Sequence, residues 1–405
     1  MWTCEKLQWT LGKRYIDEMT RLLNKWSSTN EEEALKLLMM MPNMLLQRSS
    51  KKCKARENKN HLTRRLELWE NKEFEKLVEE GKSIQQRLTE NNGEKKERDW
   101  IRQFRDHMMM GRINAALRLL DKSGNKGILP ISEETIKQLN VKHPVGEPLH
   151  DEMMLHGPVQ DIHPIIFDDL NSELVRKVAM KMKGAAGPSC FDSDDWKNVL
   201  LSRVHGTSSG DLCEAVAKAA KALCTENRTE VDKGGISAFV ACRLIPLDKD
   251  PGLRPIGIGE VLRRIVGKMV VFLLKPELQE DAGDLQMCVG QQGGCEAGVH
   301  AMVDIFQDEN THGIIQVDAN NAFNTLNRNV FLHNIQIICP EISMYIRNCY
   351  VKPARLFVVG GIEIMSQEGT PQGDPTAMPM YALGIRVSHS ENLVGGTKFS
   401  KLNNS

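Results

Sequence analysis

The chain has no Cys-x-x-Cys pair. Its ten cysteines, from Cys4 to Cys349, are scattered with no Cys/His cluster at zinc-ligand spacing. The spacing excludes a zinc module and implies free thiols in a reducing compartment. Met1–Thr10 contains Glu5 and Lys6 where a signal peptide needs an apolar stretch, so no signal peptide is expected there. The longest apolar run, near Met269–Leu274, is far short of the ~18 residues of a membrane span. The expected location is therefore intracellular, cytoplasmic or nuclear, with no membrane partner. Internal repeats and low-complexity tracts are also missing, and so is net charge: 53 basic residues balance 53 acidic ones. That balance hides an asymmetry. Residues 1–130 hold 27 Lys+Arg against 19 Asp+Glu, and the remainder carries the matching acidic excess. A basic front suits contact with a phosphate backbone, and it also suits a solvated helical surface.

What is present divides the chain into five stretches. Residues 1–126 read as a mainly α-helical basic region. Helices are expected over Glu31–Met41, stopping at Pro42, over His61–Thr89 at a 3.6-residue apolar period, and over Trp100–Leu120. Between them, Arg48–Arg65 carries Lys51, Lys52, Lys54 and Arg56. It is a nucleic-acid contact strip or a solvated linker, with no interleaved aromatic to stack a base. Residues 127–165, with five prolines, read as a connector. Residues 166–235 read as three helices, Leu170–Lys183, Asp192–Arg203 and Asp211–Glu226. Residues 236–384 alternate β-branched runs, Gly/Pro turns and helices, an α+β texture. Residues 385–405 turn polar and read as a disordered tail.

Three segments carry the chemistry. In V-D-A-N-N-A-F-N (317–324), the apolar run Ile314–Val317 reads as a buried strand with Asp318 at its end. A lone Asp there is a helix cap or turn residue, or a hard carboxylate ligand for Mg²⁺. Phe323 alone reads as an ordinary core aromatic. Q-E-G-T-P-Q-G-D-P (367–375) is a loop in which glycines permit close backbone approach and prolines hold shape. Asp374 reads as a loop-capping residue rather than a metal ligand. R-L-I-P-L-D-K-D-P-G-L-R-P-I-G-I (243–258) is a hairpin turning at Asp250-Pro251-Gly252, with Lys249 and Arg254 on either side.

In this order and spacing the segments resemble reverse transcriptases (RNA-directed DNA polymerases), above all those of non-LTR retrotransposons and mobile introns. The likeness covers roughly residues 180–384, and Gly184–Ser189 (G-A-A-G-P-S) matches a further family segment more loosely. It implies fingers and an incomplete palm over 236–384, with RNA or DNA and deoxynucleoside triphosphates as partners and Mg²⁺ as cofactor. No specific protein partner is implied. Asp318 becomes the catalytic metal ligand and Ala319 offers a backbone carbonyl beside it. Phe323 becomes the ring that crowds the sugar 2′ position, and Gln372 and Gly373 lie near the incoming nucleotide. Lys249 and Arg254 become the pair that grips the triphosphate. Two departures qualify the likeness. Asn324 stands where a second Asp is common, and no aromatic-x-Asp-Asp follows Asp374. The expectation is a truncated member that does not polymerise, since one Asp cannot hold two metal ions. The alternative is a non-catalytic nucleic-acid-binding protein derived from a retrotransposon.

Overall fold

The computed structural model describes residues 9–29, 33–47, 55–90, 100–111, 127–149, 151–231, 233–283, 292–309, 311–313 and 318–390, with isolated positions between them (31, 113, 116, 117, 286, 287 and 289). The fold is mixed α+β, mostly helical, with one four-stranded sheet.

Helix α1 (Trp9–Thr29) turns its apolar face (Leu11, Tyr15, Ile16, Met19, Leu22, Leu23, Trp26) inward and packs along α9 (Gly206–Thr225). Its C-terminal carbonyls are held from far along the chain. The buried Arg228 donates to Trp26 O at 3.0 Å and Ser27 O at 2.9 Å, and its guanidinium lies 5.0 Å from the Trp26 ring centroid. A cation at a helix C-terminus meets both the open carbonyls and the negative dipole end.

Helix α2 (Ala34–Leu45) runs through Pro42, where the sequence predicts a stop. A mid-helix proline costs about 3 kcal/mol. Burying Leu35, Leu38, Met39, Met41, Met44 and Leu45 offsets it, at roughly 1.5–3 kcal/mol per side chain. The single helix expected over His61–Thr89 is two, α3 (Ala55–Glu70) and α4 (Phe74–Glu90). The break is a Schellman cap: Glu73 N donates to Leu68 O and Lys72 N to Trp69 O, both at 2.9 Å, with Lys72 left-handed at φ 61°. Glycine is usual at that position, so a lysine there gives no warning. α5 (Trp100–Met109) matches the start of the third expected helix.

The proline-containing connector holds a helix the sequence reading omits, α6 (Glu133–Val141). Ser132 caps it by accepting from Thr135 N at 3.1 Å, two glutamates fill its first turn, and Leu139 inserts into the small core beneath the sheet. Next come α7 (Ser172–Lys181), α8 (Ser193–Leu200) with an Asp192/Asp195 capping box, α9, and α10 (Lys233–Val240).

Strands β1 (Cys242–Asp248) and β2 (Leu253–Gly259) form the expected antiparallel hairpin, with Lys249 N donating to Gly252 O across the turn. Helices α11 (Val261–Leu273) and α12 (Lys275–Ala282) follow, then α13 (Gly294–Gln307), the short α14 (Ala322–Thr325), α15 (Arg328–Ile338) and α16 (Pro340–Tyr350). The hairpin β3 (Ala354–Phe357) and β4 (Glu363–Ser366) completes the sheet in the order β2-β1-β3-β4, with β1 and β3 parallel. Finally α17 (Ala377–Ser390) carries helix past Gly384 into the stretch read as a disordered tail, and residues 391–405 lie outside the described set.

One large apolar core joins α1 to α4 with α7 through α12 and α15 to α17, so the basic N-terminal helices share their interior with the α+β part. Among the described residues, no helix is long and apolar enough to cross a membrane.

Candidate functional site

Two of the three segments meet through their backbones. Thr370 N donates to Phe323 O at 2.6 Å, and Gly369 N donates to Leu326 O at 2.8 Å. Gly369 makes this possible: it is left-handed (φ 51°), and a Cβ there would lie 2.0 Å from Phe323 O. The third segment closes the junction from the sheet. Gly257 N donates to Gln372 O at 3.2 Å, a Cβ on Gly257 would lie 2.8 Å from Pro371 Cβ, and one on Gly373 (φ 113°) would lie 3.0 Å from Gly257 O. The glycines of R-P-I-G-I and G-T-P-Q-G therefore serve close backbone approach.

Buried charges hold the loop in place. Asp374 accepts from Thr376 N at 2.8 Å and Thr376 Oγ1 at 2.5 Å, which makes it the capping residue its context predicts. Its other oxygen pairs with Arg263 of α11 at 2.8 Å, with both side chains almost fully buried. Burial opposes the Arg263 charge, but the Asp374 carboxylate outweighs it and holds the guanidinium pKa well above its ordinary value. From the opposite side, buried Arg328 at the start of α15 donates to Ser366 O (2.7 Å), Glu368 O (2.8 Å) and Gly369 O (2.8 Å). Burial pushes its pKa down to about 10, against the pull of Tyr350 and Glu368, so it remains charged at neutral pH. The Tyr350 ring lies 5.1 Å from the Arg263 guanidinium and 5.6 Å from that of Arg328.

Arg264, next to Arg263, faces the other way and donates to Lys183 O at 3.4 Å and to Ala185 O, clasping G-A-A-G-P-S. Glu260, buried at the β2–α11 corner, accepts from Ser189 N at 2.7 Å and Ser189 Oγ at 2.6 Å. Burial pushes this carboxyl up to about 7 despite those bonds.

The predicted site residues divide as follows. Phe323 is half-buried, its ring 5.3 Å from that of Tyr381, and Gln372 is half-buried in its loop. Asp318 and Ala319 are exposed on coil, and the strand expected over 314–317 lies outside the described residues. Lys249 and Arg254 flank the hairpin turn. Arg254 stands opposite Leu247 on the exposed face of β2, and Lys249 is exposed where the turn leaves β1. Lys51, Lys52 and Lys54 lie outside the described residues, while Arg56 is exposed on the first turn of α3.

Asp318 belongs to no group of three metal-capable side chains among the described residues. The one such group is Asp281, Cys339 and Glu341, whose donor atoms lie within 4.8 Å of one another. A thiol in that set does not suit Mg²⁺, which prefers oxygen.

Sequence reasoning gave no role to Arg263, Arg328 or Glu368. Arg263 carried a usable signal, because it shares the i, i+3, i+7 stripe with buried Val266 and Val270. Arg328 and Glu368 carried none, since their partners, mostly backbone groups, are brought together only by folding.

No family model matches the chain, and no curated protein matches its sequence.

Proposed function

We propose that this chain is a reverse-transcriptase-like fingers and partial-palm unit of mobile-element origin. It binds a nucleotide and a nucleic-acid strand without completing nucleotidyl transfer on its own. The observation that supports this reading is the joining of Gly257, Phe323 and Gly369–Gly373 into one backbone-bonded junction. In this reading Lys249 and Arg254 supply two cationic groups beside the hairpin turn for a triphosphate. The Phe323 ring limits the sugar, and the loop at Gln372 and Gly373 backs the base. Asp318 offers one hard ligand toward a Mg²⁺-nucleotide, and the two-ion clamp of phosphoryl transfer needs more than one carboxylate.

The test pairs two assays on the full chain. A fluorescent deoxynucleoside triphosphate with Mg²⁺ should bind saturably, and Lys249→Ala or Arg254→Ala should weaken binding roughly tenfold. Primer extension on an RNA template with Mg²⁺ or Mn²⁺ should give no product. Extension by the parent that Asp318→Ala lacks would overturn the non-catalytic part, and absence of nucleotide binding would overturn the site itself.

A further inference from the structure

The proline-containing stretches 142–149 and 151–155 lie as a strap against the start of α14 and against α15, where asparagine side chains donate to its carbonyls. Asn329 Nδ2 donates to Glu147 O at 2.9 Å, and Asn334 both donates to Met153 O at 2.9 Å and accepts from Leu155 N at 2.8 Å. Three of the strap's apolar side chains stay outside: Val145 is 73% exposed, Met153 56% and Leu149 50%. A segment held by hydrogen bonds and burying little apolar surface opens at low free energy.

At one point the strap shares its anchor with the loop. Glu368 is buried, and its two carboxylate oxygens are divided: Oε1 accepts from Glu147 N of the strap and Oε2 from Arg328 N, each at 2.6 Å. Gln367, next to it, accepts from Gly146 N at 3.3 Å. Arg328 in turn grips the carbonyls of Ser366, Glu368 and Gly369, immediately before the Thr370–Phe323 bond. We propose that the strap is a latch on the motif junction, with Glu368 as the pivot: while Glu147 N is seated, the 366–370 loop is fixed, and lifting the strap releases it. A buried carboxylate that loses one of two charge-assisted partners re-orients toward water or the remaining donor, and here the remaining donor opens the helix that carries Arg328. The consequence for nucleotide binding rests on the reading above, whereas the coupling of strap to loop does not.

The experiment is amide hydrogen exchange on the full chain without nucleotide, so its outcome is independent of whether a nucleotide binds. Glu147→Pro removes the strap's N–H donor at an exposed position and leaves the loop's own sequence intact. Expected is roughly tenfold faster exchange at Arg328, Gly369 and Thr370 as well as along the strap. Glu368→Gln, which keeps one carbonyl acceptor, should do the same. Asn334→Ala, untying only the far end, should speed exchange at Leu155 and leave the loop unchanged. Faster exchange confined to the strap in Glu147→Pro, or no change in either segment, would overturn the latch.

Discussion

Thr370 donates its backbone N–H to the carbonyl of Phe323 at 2.6 Å, and the residue before it, Gly369, has no room for a side chain. The loop and the A-F-N turn thus form one unit at backbone level. Side chains on either segment are positioned by that bond before any side-chain packing is considered.

Gly369→Ala should therefore be among the most destabilising single substitutions in the chain. Its Cβ would overlap Phe323 O and Asn324 C, at a φ of 51° that disfavours alanine. Parting the segments forfeits two buried hydrogen bonds, so a loss of about 3–5 kcal/mol is expected by denaturant unfolding. Gly361→Ala, at φ 87° in open space, should cost only about 1 kcal/mol. Equal losses would show that strain alone, not the junction, sets the effect.

Arg263 and Asp374 should be strongly coupled. Asp374→Asn leaves a buried guanidinium without its counter-charge, an expected cost of about 3–5 kcal/mol. Arg263→Met together with Asp374→Asn should cost less than the sum of the single changes. The coupling free energy from the double-mutant cycle should exceed about 1 kcal/mol, and additive losses would deny the pair its anchoring role.

Glu260 predicts a pH dependence of definite sign. Its folded pKa, raised by burial from the ordinary 4.5 to about 7, means that the folded state holds the proton more tightly than the unfolded chain. Stability contributed by the neutral carboxyl is full below about pH 4.5 and lost as pH rises through 7, with about 3 kcal/mol as the upper magnitude. Unfolding measured from pH 4.5 to 8 should show the parent losing more stability over that window than Glu260→Gln. A parent curve parallel to that of the variant would contradict it.

The basic strip and the hairpin pair should separate by salt dependence if nucleic acid is bound. Each phosphate contact removed should flatten the slope of log affinity against log salt by about one unit. Arg254→Ala should lower the slope once, and a combined Lys51→Ala, Lys52→Ala and Lys54→Ala variant by up to about three. A combined variant with the parent slope and affinity would return that strip to a solvated linker.

Chain-local chemistry determined some of this protein from sequence alone. The hairpin at 242–259 follows from a Pro-Gly turn between apolar runs, and Asp374 as a cap follows from the hydroxyl and amide two residues on. The α+β texture after residue 236 and the helical front were equally legible, since period and turn residues act within a few positions. Tertiary structure decided the rest, because the deciding partners lie far away in sequence. Pro42 stays inside a helix because the face around it is buried, and Lys72 breaks another because Trp69 and Phe74 pack edge to face, 5.0 Å apart. The connector becomes a strap because Asn321, Asn329 and Glu368 meet its backbone. Arg328 reads as one more surface cation until folding brings Ser366 to Gly369 around it. A buried charge survives only where distant groups satisfy every face of it, and no local pattern carries that requirement.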